Sequence, residues 1–282
     1  MKRIVLVVVA LLLSAGTATA VNAATTSPLP PGVHVSGMTY QPGAHLPATR
    51  PPQLALVNGT LGSENWSGYA DVACGTCALR YVAASYTLPS VNCANSPNGS
   101  AAGFFVGLDG IFDFTVEQIG AAASCSGGTA SYQVFFEMFP NPPVVFTGVS
   151  PGDALSANVF FNAATNHWQL TLTDLTNGKN LAAAETCPAG STCRNASAEV
   201  ITERPSTGAS TGASLVPLVD FGQSNYEAIK VTSRNGTHGS MISNGLWTTD
   251  LIDMVNSSGI ALALPGPAYG GQAFQDTWEA AQ

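Results

Sequence analysis

Three short stretches of this sequence carry carboxylates and amides at a spacing of two, the repeat of a β-strand. Ser197-Ala-Glu199-Val-Ile201-Thr-Glu203 puts Glu199, Ile201 and Glu203 on one face and Ala198, Val200 and Thr202 on the other. Residues 114–119 put Phe114, Val116 and Gln118 together. Tyr132-Gln-Val-Phe-Phe-Glu-Met-Phe139 separates Tyr132, Val134, Phe136 and Met138 from Gln133, Phe135, Glu137 and Phe139. A strand face that mixes acids with apolar groups suits a cleft holding a chain-like substrate, where a carboxyl can move protons. Alternation alone equally allows Glu199 and Glu203 to be surface acids beside Arg204.

Other chemistries lack their residues. No His-Glu-X-X-His is present, nor an Asp-Thr-Gly or Asp-Ser-Gly turn, a phosphate loop or a dinucleotide fingerprint. Gly208-Ala-Ser210-Thr-Gly212 matches the nucleophile-elbow pattern, but it lies in a Ser/Thr/Gly/Ala loop at residues 207–214 rather than between a strand and a helix. Cys74-Gly-Thr-Cys77 has no second ligand pair at zinc spacing. Neither a metal nor a cofactor is expected.

The elements that must position these residues are strands. Leu155, Ala157, Val159 and Phe161 alternate, as do Trp168, Leu170 and Leu172, and Asn177-Gly178 marks a hairpin turn. No stretch shows a helical period. Many short strands between turn signals predict an all-β sandwich or barrel, and about 220 residues suit one such domain.

The N-terminus reads as a secretory leader over residues 1–24. Lys2 and Arg3 precede an apolar run at 4–13 and small residues ending at Ala20, Ala23 or Ala24. That run is too short to span a bilayer, so a secreted, extracellular chain with no membrane attachment after cleavage is expected. Residues 25–57 are proline-rich and lack cysteine, as a pro-segment or linker would. The domain then runs over 58–282. The six cysteines, an even number in an exported chain, imply disulfides, and Cys187 could close a short loop with Cys193. Only 9% of residues are charged. Without the leader, seven basic residues face 17 acidic ones, a net charge of −10, which argues against nucleic acid as a partner. Few charges also suit an acid environment, because acid unfolding mostly reflects carboxylates that must stay ionised.

Six segments, in order, resemble those of the glutamic peptidases, or eqolisins. They are Asn65-Trp66-Ser-Gly68, Phe105-Val-Gly107-Leu-Asp109-Gly110, Glu117-Gln118-Ile-Gly120, 132–140, Gly148-Val-Ser-Pro-Gly152-Asp153 and Ala198-Glu199-Val-Ile-Thr-Glu203. The resemblance covers roughly residues 63–232. It implies a concanavalin-like antiparallel sandwich of two sheets, each of about seven strands, and a monomeric acid endopeptidase acting on polypeptides. It implies Gln118 and Glu203 as the catalytic pair, with Asp109, Glu137 and Glu199 in supporting roles. It also implies Phe105, Gln133, Phe135 and Phe139 along the cleft. Phe105 and Phe135 stand where the family often has Trp, and Gln133 where it has Asp. Two readings compete: a lectin-like glycan-binding sandwich without catalysis, and a glycoside hydrolase using Glu137 and Glu203 as its two carboxyls.

Overall fold

The computed structural model describes residues 27–44, 46, 51–57, 60–208 and 213–282. The leader and the Ser210 motif lie outside the described residues. Among the described residues there are nineteen strands, and no helix long and apolar enough to cross a membrane.

The strands run β1 (Val33–Ser36), β2 (Thr39–Tyr40), β3 (Leu54–Val57), β4 (Thr60–Ser63), β5 (Trp66–Ala73), β6 (Leu79–Thr87), β7 (Ser100–Leu108), β8 (Val116–Ser126), β9 (Thr129–Phe139) and β10 (Val144–Thr147). They continue as β11 (Ala154–Asn162), β12 (His167–Asp174), β13 (Lys179–Glu185), β14 (Ser197–Glu203), β15 (Gln223–Ser233), β16 (His238–Gly239), β17 (Trp247–Val255), β18 (Ala261–Pro265) and β19 (Phe274–Trp278).

Two antiparallel layers form, as expected. The first is ordered β10-β9-β8-β7-β14-β5-β17. The second is ordered β19-β15-β6-β11-β12-β13-β1. The link β17-β18-β19 keeps the hydrogen bonding unbroken between them, so the sandwich is one ladder folded back on itself. The facing sides meet in a dry core that includes Phe104, Val106, Ile119, Phe136 and Val200 from the first layer and Val82, Val159, Leu170 and Leu172 from the second.

β11 and β12 show buried and less buried residues in strict alternation, as their sequence predicts. The turn at Asn177-Gly178 joins β12 to β13 with Gly178 at φ 67°, a conformation glycine adopts without steric cost. Two disulfides form. Cys187–Cys193 closes its local loop and Cys93–Cys125 ties the segment before β7 to β8, while Cys74 and Cys77 remain thiols.

Two expectations change. The face predicted for residues 114–119 begins only at Val116, where β8 starts. Phe114 stands in the preceding loop with 79% of its surface exposed, beside Phe112 at 74%. The proline-rich segment also carries strands: β1 pairs with β13, β2 with β10, and β3 with β4.

Candidate active site

β14 lies in the middle of the first layer, bonded to β5 on one side and to β7 on the other, and all seven of its residues are buried. The alternative of Glu199 and Glu203 as surface acids is therefore overturned; both are fully buried. Register carries their face across the layer. Glu199 stands opposite Gly107, Gly107 opposite Gln118, and Gln118 opposite Glu137. The next row is Ile201, Phe105, Gly120 and Phe135, and the third is Glu203, Gly103, Ala122 and Gln133. Phe139 faces Val116 one row beyond Glu137. Directly paired residues share a face, so these rows gather Gln118, Glu203, Glu137, Glu199, Phe105, Phe135, Phe139 and Gln133 on the outward side of one sheet. Gln118 and Glu203 are diagonal to each other, two strands and two rows apart.

Glycines make the floor. A Cβ at Gly107 would sit 2.7 Å from Glu199 Oε1 and 3.5 Å from Gln118 Cβ, so both side chains close over that bare backbone. A Cβ at Gly120 would strike the Phe104 carbonyl oxygen and the Cβ of Phe105.

Hydrogen bonds orient both ends of the diagonal. Gln118 Nε2 donates to Glu137 Oε2 at 3.1 Å. Asn65 Nδ2 donates to Glu203 Oε1 at 3.3 Å. Ser63 Oγ donates to Asn65 Oδ1 at 3.0 Å and accepts the Trp66 N–H at 3.1 Å. Trp66 is buried and packs edge-on against Phe105, with ring centroids 5.5 Å apart. Asn65 and Trp66 were legible as a motif but not as site residues. Their link to Glu203 bridges 138 positions of sequence.

Asp109 stands apart from the rows. It takes φ 69° just past β7, and its carboxylate accepts the backbone N–H groups of Asn195 at 2.8 Å and Ala196 at 2.6 Å. It thereby ties the end of β7 to the start of β14. Around it lie Glu199, which the sequence singled out, and Glu117 and Asp113, which it did not name as site residues. Burial pushes Glu117 well above the usual carboxylate range, helped by Asp109 beside it. Burial likewise raises Glu199 strongly, with Asp109 and Asp113 adding repulsion. Asp113 rises to about 7 for the same reasons. Glu117 meets Asp109 in a hydrogen bond that raises it further, and the Ser197 hydroxyl only partly offsets the burial of Glu199, so both are favoured as neutral acids.

The N-terminal segment roofs this face. Leu46 and Leu54 pack against the apolar set of Trp66, Phe105, Phe135, Phe139 and Ile201. Leu46 nearly fills a pocket walled by Gly103, Ala122, Gln133 and Phe135, leaving about 20 Å³. At the other end, a groove of about 520 Å³ lies between Pro51, Leu54, Phe112, Phe114 and Phe139. No group of three or more metal-ligating side chains occurs among the described residues.

The sequence profile of the Peptidase A4 family matches residues 64–262. No curated protein matches the chain. Scytalido-glutamic peptidase, solved with a peptide-based transition-state analogue, is similar at 22% identity and a TM-score of 0.63, over 77% of this chain and 98% of that one. SCP-B, an eqolisin solved with the tripeptide Ala-Ile-His, is similar at 21% identity and a TM-score of 0.60, over 77% and 98%. Aspergilloglutamic peptidase from Aspergillus niger is similar at 21% identity and a TM-score of 0.52, over 64% and 99%. With a match across most of its length and the same sandwich, the chain belongs to the Peptidase A4 family, the eqolisins, and is a glutamic endopeptidase that acts on polypeptides.

Proposed function

We propose that this peptidase is secreted, works in acid and cleaves peptide bonds with Gln118 and Glu203. The observation that supports the pair most is their place on one face of a single sheet, with each side chain held by a neighbour. Glu203 takes a proton from a water molecule, whose oxygen attacks the scissile carbonyl carbon. The carbonyl oxygen becomes an oxyanion. The Gln118 side-chain amide donates a hydrogen bond to that oxyanion. The tetrahedral intermediate then collapses, the C–N bond breaks, and Glu203 returns its proton to the leaving nitrogen. A carboxyl of ordinary pKa, ~4.3, both accepts and donates most readily in acid.

The other residues support this chemistry. Asn65 holds the Glu203 carboxyl in place, and Glu137 fixes the face of the Gln118 amide. Phe139 lines the groove, Gln133 and Phe135 wall the pocket beside Leu46, and Phe105 packs between Trp66 and that wall. Asp109 positions β14 through the backbone before it. Glu199, neutral across Gly107 from Gln118, keeps a second negative charge away from the reacting atoms.

Residues 1–24 act as the leader and 25–57 as a pro-segment that must leave before substrate can enter, because Leu46 and Leu54 lie over the site. The mature domain is 58–282, monomeric, without metal or cofactor and without nucleic-acid partners. The disulfides fit an extracellular location.

The test is cleavage of a denatured protein by the secreted product at about pH 3–4, where such a carboxyl is partly ionised. Pepstatin silences contaminating aspartic peptidases. Acid-dependent cleavage lost in Glu203→Gln and in Gln118→Ala is the expected result. Undiminished cleavage in either folded variant overturns the pair, and a folded but inactive wild-type product, after removal of residues 25–57, overturns the acid reading in favour of glycan binding.

A further inference from the structure

The largest cavity described, about 750 Å³, is not on the catalytic face. It opens on the outward side of the second layer. Register lines up Phe160 of β11, Tyr81 of β6, Thr232 of β15 and His238 of β16 in one row. Their neighbours Val82, Val159 and Val231 point inward and are fully buried, so this row faces out. Lys230 lies two residues from Thr232 on the same strand face, and Arg80 sets its guanidinium 5.9 Å from the centre of the Phe160 ring.

The charge of this trough runs against the rest of the chain. The protein has 17 acidic and nine basic residues, yet the cavity is lined by Arg80, Lys230 and His238 and by no carboxylate. Arg80 rests on an aromatic ring instead of an acid, and its Nε is buried without a hydrogen-bond partner. The His238 ring is held by Nδ1 against Thr232 Oγ1 at 3.0 Å. Cations gathered without counter-ions in a concave surface raise the local concentration of anions. The half-buried Tyr81 and Phe160 give the trough an aromatic floor, the kind of apolar surface against which a sugar ring packs.

We propose that this trough is a second binding site, independent of the peptidase chemistry, for an anionic polysaccharide bearing sulfate or phosphate esters. The ester oxygens meet Arg80, Lys230 and His238, and the sugar lies on the aromatic row. An ester of this kind keeps its charge in acid, whereas a sugar carboxylate of ordinary pKa, ~4, does not. The site would hold the enzyme on an anionic matrix with its catalytic face, on the other layer, turned away.

The experiment is calorimetric titration of the full-length secreted chain at low ionic strength and about pH 4, where carboxyls are half neutralised. The probes are dextran sulfate, neutral dextran and inorganic sulfate. Lys230 and His238 are exposed, so their replacement leaves the core intact. Dextran sulfate is expected to bind and neutral dextran not to. Lys230→Ala and His238→Ala should each weaken binding at least about fivefold, as loss of a charged contact does, and Lys230→Arg should restore it. Arg194→Ala, which removes an exposed cation outside this trough, should change affinity less than about twofold. No binding of dextran sulfate overturns the proposal. So does an equal loss in Arg194→Ala, which would mean attraction to net charge alone. Inorganic sulfate binding as tightly as the polymer overturns the polysaccharide and leaves a free-anion site only.

Discussion

The two layers of the sandwich are built from the same kind of strand and treat their outward faces in opposite ways. In the second layer β12 follows the simple rule, with Trp168, Leu170 and Leu172 buried and Gln169 exposed. In the first layer β14 is buried on both faces, and its outward face holds two glutamates. The difference lies in what covers them. β12 meets the surroundings, whereas β14 is roofed by Leu46, Leu54 and the aromatic set around Trp66. An acid on an uncovered strand costs nothing. Under that roof Glu199 is disfavoured when charged and rises in pKa. The first layer thus gives up stability at neutral pH to keep a dry acid site, and the second, apart from the buried Asp276 of β19, supplies ordinary packing.

The largest test of that contrast is activity. Glu203→Gln keeps shape and removes the proton carrier, so kcat should fall by about 10²–10⁴, the usual contribution of a general acid–base group. Replacing Gln169 on β12 should leave activity and folding alone. Measured kcat on a denatured protein substrate decides it.

Stability against pH comes next. Burial raises Asp71 to about 8, Asp113 to about 7 and Asp276 to about 7, and Glu117 and Glu199 strongly. All five folded values lie above the unfolded ones. Below the unfolded carboxylate range both states are protonated and the stabilisation is fully present. As pH rises from about 4, the unfolded chain ionises first, unfolding releases protons, and stability falls at least until Asp113, Asp276 and Asp71 titrate in the folded chain at about 7–8. The urea midpoint should therefore drop steadily from pH 4 to pH 8, a total loss of several kcal/mol. A midpoint that rises over this range would break the comparison.

Leu172→Ala in the second layer should cost about 2–5 kcal/mol through the cavity it leaves, equally at pH 4 and pH 7. Glu199→Gln should do the reverse, leaving stability in acid unchanged and raising it near neutrality, because the amide cannot ionise. Urea melts at the two pH values separate the two. The smallest effect is expected from Asn65→Ala, which removes one hydrogen bond to Glu203 and should lower kcat about tenfold with the fold intact. An unchanged kcat would show that Glu203 needs no such support.

The aromatic neighbours show how far local pattern carries. Phe135 and Phe139 alternate with period two inside β9, and both fall on the site face as the pattern requires. Phe114 continues the sequence pattern of Val116 and Gln118, but β8 starts two residues later and the ring stands exposed. Periodicity says which residues share a face once a strand exists. It does not say where the strand starts, because that depends on a partner to bond with, here Phe139 opposite Val116.

By itself the sequence determined that residues 132–139, 155–161, 168–172 and 197–203 alternate as strands and which of them share a face, together with the turn at Asn177-Gly178 and a short loop that Cys187 and Cys193 could close. These depend on neighbours within a few residues, on the two-residue repeat and on turn chemistry. It also placed Glu199, Ile201 and Glu203 together. Only the tertiary structure decided that β14 would lie between β5 and β7, that Asn65 would reach Glu203, and that Gln118 and Glu203 would share one face. It alone decided that the acids would be buried and that Leu46 would roof them. Strand partners are chosen by contacts far apart along the chain. The protonation of a carboxyl follows from whatever segment finally covers it, which no local pattern contains.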